Sequence, residues 1–169
     1  MTNPLEPKHL SPEHYRAFGR IVQAFVSVEA LYAHIVIRSL KVDDGAGAFL
    51  LSNQGYDGLK NMLLSAVNES HLTEPEIDEI SALIEKVNKK SALRNNVAHC
   101  SWKPGKRPGS IKPLVLKTRG TLKVLGIEDN EKDWMAPELD QEAEEILQRG
   151  LAVGIFFRDR NIPLGKLDN

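Results

Sequence analysis

The chain has 169 residues, 41% of them hydrophobic and 27% charged, with a formal net charge of −1. These proportions fit one globular domain with a sizeable core and exclude a disordered chain. No apolar run reaches the roughly 18 residues that span a bilayer, and residues 1–14 do not read as a signal peptide. The single cysteine, Cys100, allows no internal disulfide, as suits a reducing cytoplasm.

Residues 1–10 read as a flexible lead-in. Ser11, Pro12 and Glu13 then form a helix start: an N-cap hydroxyl, a proline at the first helical position and an acid in the first turn. The helix is predicted to run to about residue 40. Its polar stripe is Arg16, Arg20, Gln23, Ser27, His34 and Arg38, and its apolar side Phe18, Val22, Phe25, Val26, Tyr32 and Val36. A short helix or turn over 46–54 and a helix over 55–68 follow. Thr73-Glu74-Pro75-Glu76 is a capping box, opening a long helix whose apolar stripe is Ile77, Ile80, Leu83, Ile84, Val87, Ser91 and Ala98.

Residues 103–110, rich in Pro, Gly and cations, are predicted to form an exposed loop. Segments 111–117 and 121–127 pattern as a β-hairpin, with Pro113 implying an edge strand. A final helix over about 138–157 offers Leu139, Ile146, Leu147, Leu151 and Phe157 to the core, and a loose tail begins at 161. The expected organisation is a mainly α single domain over 11–160, with the hairpin insertion at about 101–127.

Charge is unevenly spread. Between residues 86 and 123 stand eleven Lys/Arg and no acid, and between 128 and 145 nine acids and one lysine. Such a basic block can bind a polyanion through its phosphates, or it can be a solvated face balanced by the acidic segment that follows. Both readings stay open at this level.

Two charges fall on apolar helix faces. Glu29 projects among Val22, Phe25, Val26 and Tyr32, and Arg94 in phase with Ile80, Ile84 and Val87. A buried charge demands a partner, so an ion pair between Glu29 and Arg94 is the simplest expectation. It can serve a site or only fix helix register. Asn95 and His99, four residues apart, share a face beside Arg94, which gathers a guanidinium, an amide and an imidazole. Cys100 next to His99 is not a Cys–His dyad, since neighbours on a helix diverge by about 100°. The remaining histidines have no metal-ligand spacing. Trp102 and Trp134 could stack bases, with packing as their ordinary role.

The string Arg94-Asn95-Asn96-Val97-Ala98-His99 resembles the signature of HEPN-domain proteins, an Arg followed four to six residues later by His. The setting is similar: a long first helix with a mid-helix Glu29, the motif late in another helix, Trp102 just after it, a strand pair and a last helix. Where one branch has a Tyr two residues after the His, this chain has Ser101. The resemblance implies a HEPN-like helical bundle that forms a homodimer, with the two motifs facing each other. It also implies a metal-independent ribonuclease needing no cofactor, of toxin–antitoxin, phage-defence or RNA-processing type, or else a non-catalytic binding module. Arg94, Asn95 and His99 would then be catalytic, with Glu29, Asn96 and Trp102 in support. Lys89, Lys90, Lys103, Lys106 and Arg107 would hold RNA. RNA, an antitoxin or another partner protein are the expected partners, with no membrane and no metal.

Overall fold

A computed structural model describes residues 9–119, 123–128 and 132–160. The expected loose ends therefore lie almost wholly outside the described residues. The elements in chain order are α1 (Pro12–Leu40), α2 (Asp44–Leu51), α3 (Tyr56–Asn68), α4 (Glu74–Asn88), α5 (Ser91–His99), β1 (Ser101–Pro104), β2 (Ile111–Arg119), β3 (Lys123–Glu128) and α6 (Ala136–Asp159). The protein is mainly helical, with a small antiparallel sheet before the last helix.

The chain divides into two compact units: 1–23 with 91–144, and 24–90 with 145–169. In the first unit, Ala17 and Ile21 of α1 are buried, as are Leu93, Trp102, Ile111, Leu139 and Ala143. Phe18 packs on Trp102, their ring centroids 4.8 Å apart, a contact worth about 0.5–1.5 kcal/mol beyond burial. In the second unit, Phe25, Val28, Tyr32 and Ile35 of α1 are buried. So are Leu59, Leu63 and Val67 of α3, Ile80, Ile84 and Val87 of α4, and Ile146, Val153 and Phe157 of α6. Tyr56 packs edge-on to Phe25 and lies over Tyr32.

Local sequence accounts for most helix starts. Glu76 accepts both the Thr73 N–H (2.9 Å) and its hydroxyl (2.8 Å), the reciprocal cap that starts α4. Asp43 caps α2 by accepting the Ala46 N–H. Ser11 starts α1 in a variant form, its N–H donating to Nδ1 of His14.

Three expectations are corrected. The long helix from Thr73 breaks at Lys89 and Lys90. An unbroken helix would send the Lys90 N–H to the Lys86 carbonyl. That carbonyl instead accepts Arg149 Nη1 at 2.7 Å, and Lys90 N–H turns to Val87 O. The helical phase therefore does not carry across the break. Leu93, rather than Arg94, is the buried residue of α5.

Secondly, the 103–110 segment is no simple loop. Lys103 and Pro104 belong to β1, which pairs antiparallel with β2 and makes the sheet three-stranded in the order β1-β2-β3. Pro113 thus sits on the central strand, but where only β1 pairs; β3 pairing starts at Val115. A missing donor is tolerated at such a locally one-sided stretch.

Thirdly, Val22 and Val26 of α1 and Leu147 and Leu151 of α6 are exposed. The core face of α1 centres instead on Ile21, Val28, Tyr32 and Ile35. With apolar residues on two sides, α1 has the length and composition of a membrane span, a test that a partly buried core helix also passes.

Candidate functional site

The α5 helix is short and presents most of its surface. Only Leu93 is buried, while Asn95 and His99 are exposed and Arg94 and Asn96 half-buried. By helical spacing Asn95 and His99 share a face, and Arg94 starts about 100° from Asn95. The Arg94 side chain closes part of that angle, its Nη1 donating to Asn95 Oδ1 at 3.2 Å. A guanidinium is thereby drawn towards the face that carries the imidazole.

The end of α5 is held firmly. Cys100 N–H donates to the Asn96 carbonyl, and Cys100 Sγ lies 3.6 Å from Asn96 Oδ1. Ser101 then enters β1 at once, so His99 stands at a helix-to-strand corner. Trp102, in the second position of β1, is buried against Phe18, and its carbonyl accepts from Nε2 of His9. Trp102 is thus a packing anchor behind the corner, not a platform for bases. Glu29 belongs to the other unit, half-buried with Oε1 shielded from solvent. It lies near Tyr56, whose hydroxyl is held protonated chiefly by burial, with the carboxylates of Asp57, Glu85 and Glu29 adding to the effect. The pairing of Glu29 with Arg94 stays an expectation.

The five cations expected to hold RNA divide into two groups. Lys89 and Lys106 are exposed and Lys103 half-exposed. Lys90 is tied to Glu145 at 2.9 Å. Arg107 is clamped by both oxygens of Glu138, at 2.8 and 2.7 Å, and donates to the Asp133 carbonyl at 2.6 Å.

The Arg107 clamp is a structure that the sequence reading missed. The Asp133 carboxylate accepts the backbone N–H groups of Lys106 and Arg107 and faces the Ser110 hydroxyl. Ser110 closes the turn on the Arg107 carbonyl, and Gly109 takes a φ of +76° that suits glycine. Ile111 and Trp134 exchange both backbone hydrogen bonds. Glu138 also accepts the Met135 N–H, which starts α6. These contacts hold Glu138 far below the usual carboxylate range, at about 2, mainly through Arg107. They lower Asp133 as well, mainly through the Lys106 N–H.

A cleft of about 340 Å³ lies within the first unit, lined by Ser11, His14, Arg16, Met135, Pro137 and Asp140 among others, with no residue from α5. Burial holds its His14 below the ordinary imidazole range. Among the described residues no three His, Cys, Asp or Glu side chains cluster as metal ligands would. No protein-family model matches the chain, and neither does any curated protein or solved structure.

Proposed function

We propose that the protein is a metal-independent endoribonuclease of HEPN type, acting through Arg94, Asn95 and His99. The observation that carries this reading is the turn of the Arg94 guanidinium onto Asn95, on an exposed corner that ends in His99. RNA brings its own nucleophile, the 2′-OH, so the protein need supply only proton transfer and charge stabilisation. His99 would move the proton, since imidazole exchanges protons near neutral pH. Arg94 would stabilise the pentavalent phosphate with its fixed fork of donors. Asn95 would orient the scissile phosphate or the His99 ring. The products would carry 2′,3′-cyclic phosphate ends.

One imidazole per chain provides one acid–base group, and cleavage uses two proton transfers. A homodimer that contributes two His99 rings would complete the site, as the resemblance implies. Lys106, exposed and in the same unit as α5, is the cation best placed to meet the RNA backbone. A toxin or phage-defence setting belongs to this same reading. The test is cleavage of single-stranded RNA by the full chain beside Arg94→Ala and His99→Ala. Both variants are expected to fold and to lose cleavage. A His99→Ala protein that cuts at the parental rate overturns the assignment.

A second reading is a non-catalytic helical module that binds a protein or nucleic acid. Its specific support is that Lys90 and Arg107 are already engaged by acids. It predicts that RNA stays intact at any protein concentration.

A further inference from the structure

The exposed side of α6 reads the same in both directions. Glu144, Leu147, Leu151, Ile155 and Arg158 are spaced 3, 4, 4 and 3 residues apart. At about 100° per residue they fall within a sector of about 80°. The core side of the same helix is a different set: Leu139, Ile146, Val153 and Phe157, all buried. Leu151 is 62% exposed, and Leu147 and Ile155 are 39% and 37% exposed. Three large aliphatic side chains in line on an outer face are unusual for a helix facing only water.

The charges at the two ends of this stripe are opposite. The Glu144 side chain is 55% exposed and approaches Arg20 at 3.7 Å. The Arg158 side chain is 69% exposed and paired with its neighbour Asp159. Two such helices laid antiparallel, with Leu151 at the crossing, set Leu147 of each against Ile155 of the other. The same register sets Glu144 of each against Arg158 of the other. A parallel arrangement would place Glu144 beside Glu144 and Arg158 beside Arg158.

We propose that α6 pairs antiparallel with the α6 of a second copy of this chain, about a two-fold axis at Leu151. An isologous two-fold contact requires a self-complementary patch, and the order acid, three apolar residues, base supplies one. The charge order selects the antiparallel register by the like-charge cost of the other. The pairing goes beyond the ribonuclease reading and does not depend on it, because its readouts are mass and crosslinking rather than cleavage.

Sedimentation of the full chain over a range of concentrations is expected to show a dimer. Leu151→Glu, at an exposed position that leaves the core intact, should raise the dimer dissociation constant by at least about 30-fold, as loss of a central contact does. Glu144→Arg or Arg158→Glu alone should weaken it about tenfold, each pair occurring twice per dimer. The combined Glu144→Arg/Arg158→Glu protein should recover it. In a Cys100→Ser background, Leu147→Cys mixed with Ile155→Cys should form an intermolecular disulfide under mild oxidation, and Leu147→Cys alone should not. A monomer at all concentrations, a dimer indifferent to Leu151→Glu, or charge swaps that do not rescue each other would overturn the proposal.

Discussion

Two parts of the basic segment, only a few residues apart in sequence, are built in opposite ways. At the 105–110 turn, Arg107 is gripped by Glu138 and Asp133, and the backbone around it is bonded at Gly105, Lys106, Arg107 and Ser110. On α5, polar groups stand on a helix with one buried side chain, and Asn95 and His99 face outward. The first arrangement uses cations to hold the fold. The second leaves an imidazole and an amide available to a ligand. Lysine and arginine count therefore says little about polyanion binding until each cation's partner is known.

The sharpest contrast to test is His99 against Gly105. His99→Ala should lower RNA cleavage by about 10²–10⁴-fold, the usual contribution of a general acid–base group. Its stability should stay within about 0.5 kcal/mol of the parent in urea unfolding, as for an exposed side chain. Gly105→Ala should do the reverse. A Cβ there would run into Ser110 Oγ and stand 2.8 Å from Asp133 Cγ. Overpacking of this kind costs about 1–3 kcal/mol, with cleavage by the folded fraction retained. A stable Gly105→Ala protein would show that the turn is looser than its contacts imply.

Acid stability separates the Arg107–Glu138 clamp from the cleft that holds His14. Glu138 is lowered from 4.5 to about 2 in the folded protein. A depressed carboxylate stabilises the fold above its unfolded pKa, and that contribution is lost as pH falls through the folded value. Stability should thus decline between about pH 4.5 and 2, and Glu138→Gln should flatten that decline. His14 is also depressed, by burial. Its contribution is full above the ordinary imidazole range near 6.5 and begins to fall below it, so an earlier, separate loss should vanish in His14→Gln. Unfolding followed at stepped pH resolves both.

The smallest expected effect is at Lys106, exposed beyond the clamp. Lys106→Ala should leave stability within about 0.5 kcal/mol and reduce the salt slope of RNA binding by about 0.7. An unchanged slope would remove Lys106 from the RNA path.

Much of the fold could be read from local chemistry. Ser11-Pro12 and the Thr73–Glu76 box mark helix starts because capping depends on neighbours in sequence. The hairpin, too, was visible in its alternation, and the last helix in its periodicity. What escaped depends on residues far apart in the chain. Nothing around Asn88 forbids a helix; at the break the Lys86 carbonyl is taken by Arg149, 63 residues further on. Likewise, the turn at Gly105 to Ser110 looks free until Asp133, 26 residues from Arg107, accepts its N–H. Hydrophobic pattern alone assigned Val26 and Leu151 to the core, since a helix with two apolar sides does not say which faces inward. For the candidate site, the spacing of Asn95 and His99 was legible, whereas the swing of Arg94 onto Asn95 was not, being a side-chain conformation.

End-group analysis of RNA treated with the purified protein in the presence of a chelator addresses the α5 site most directly. Fragments ending in 2′,3′-cyclic phosphate, formed by the parent and absent with His99→Ala and Arg94→Ala, are the predicted outcome. Intact RNA with the parent, 3′-hydroxyl ends, or equal cleavage by His99→Ala would contradict it.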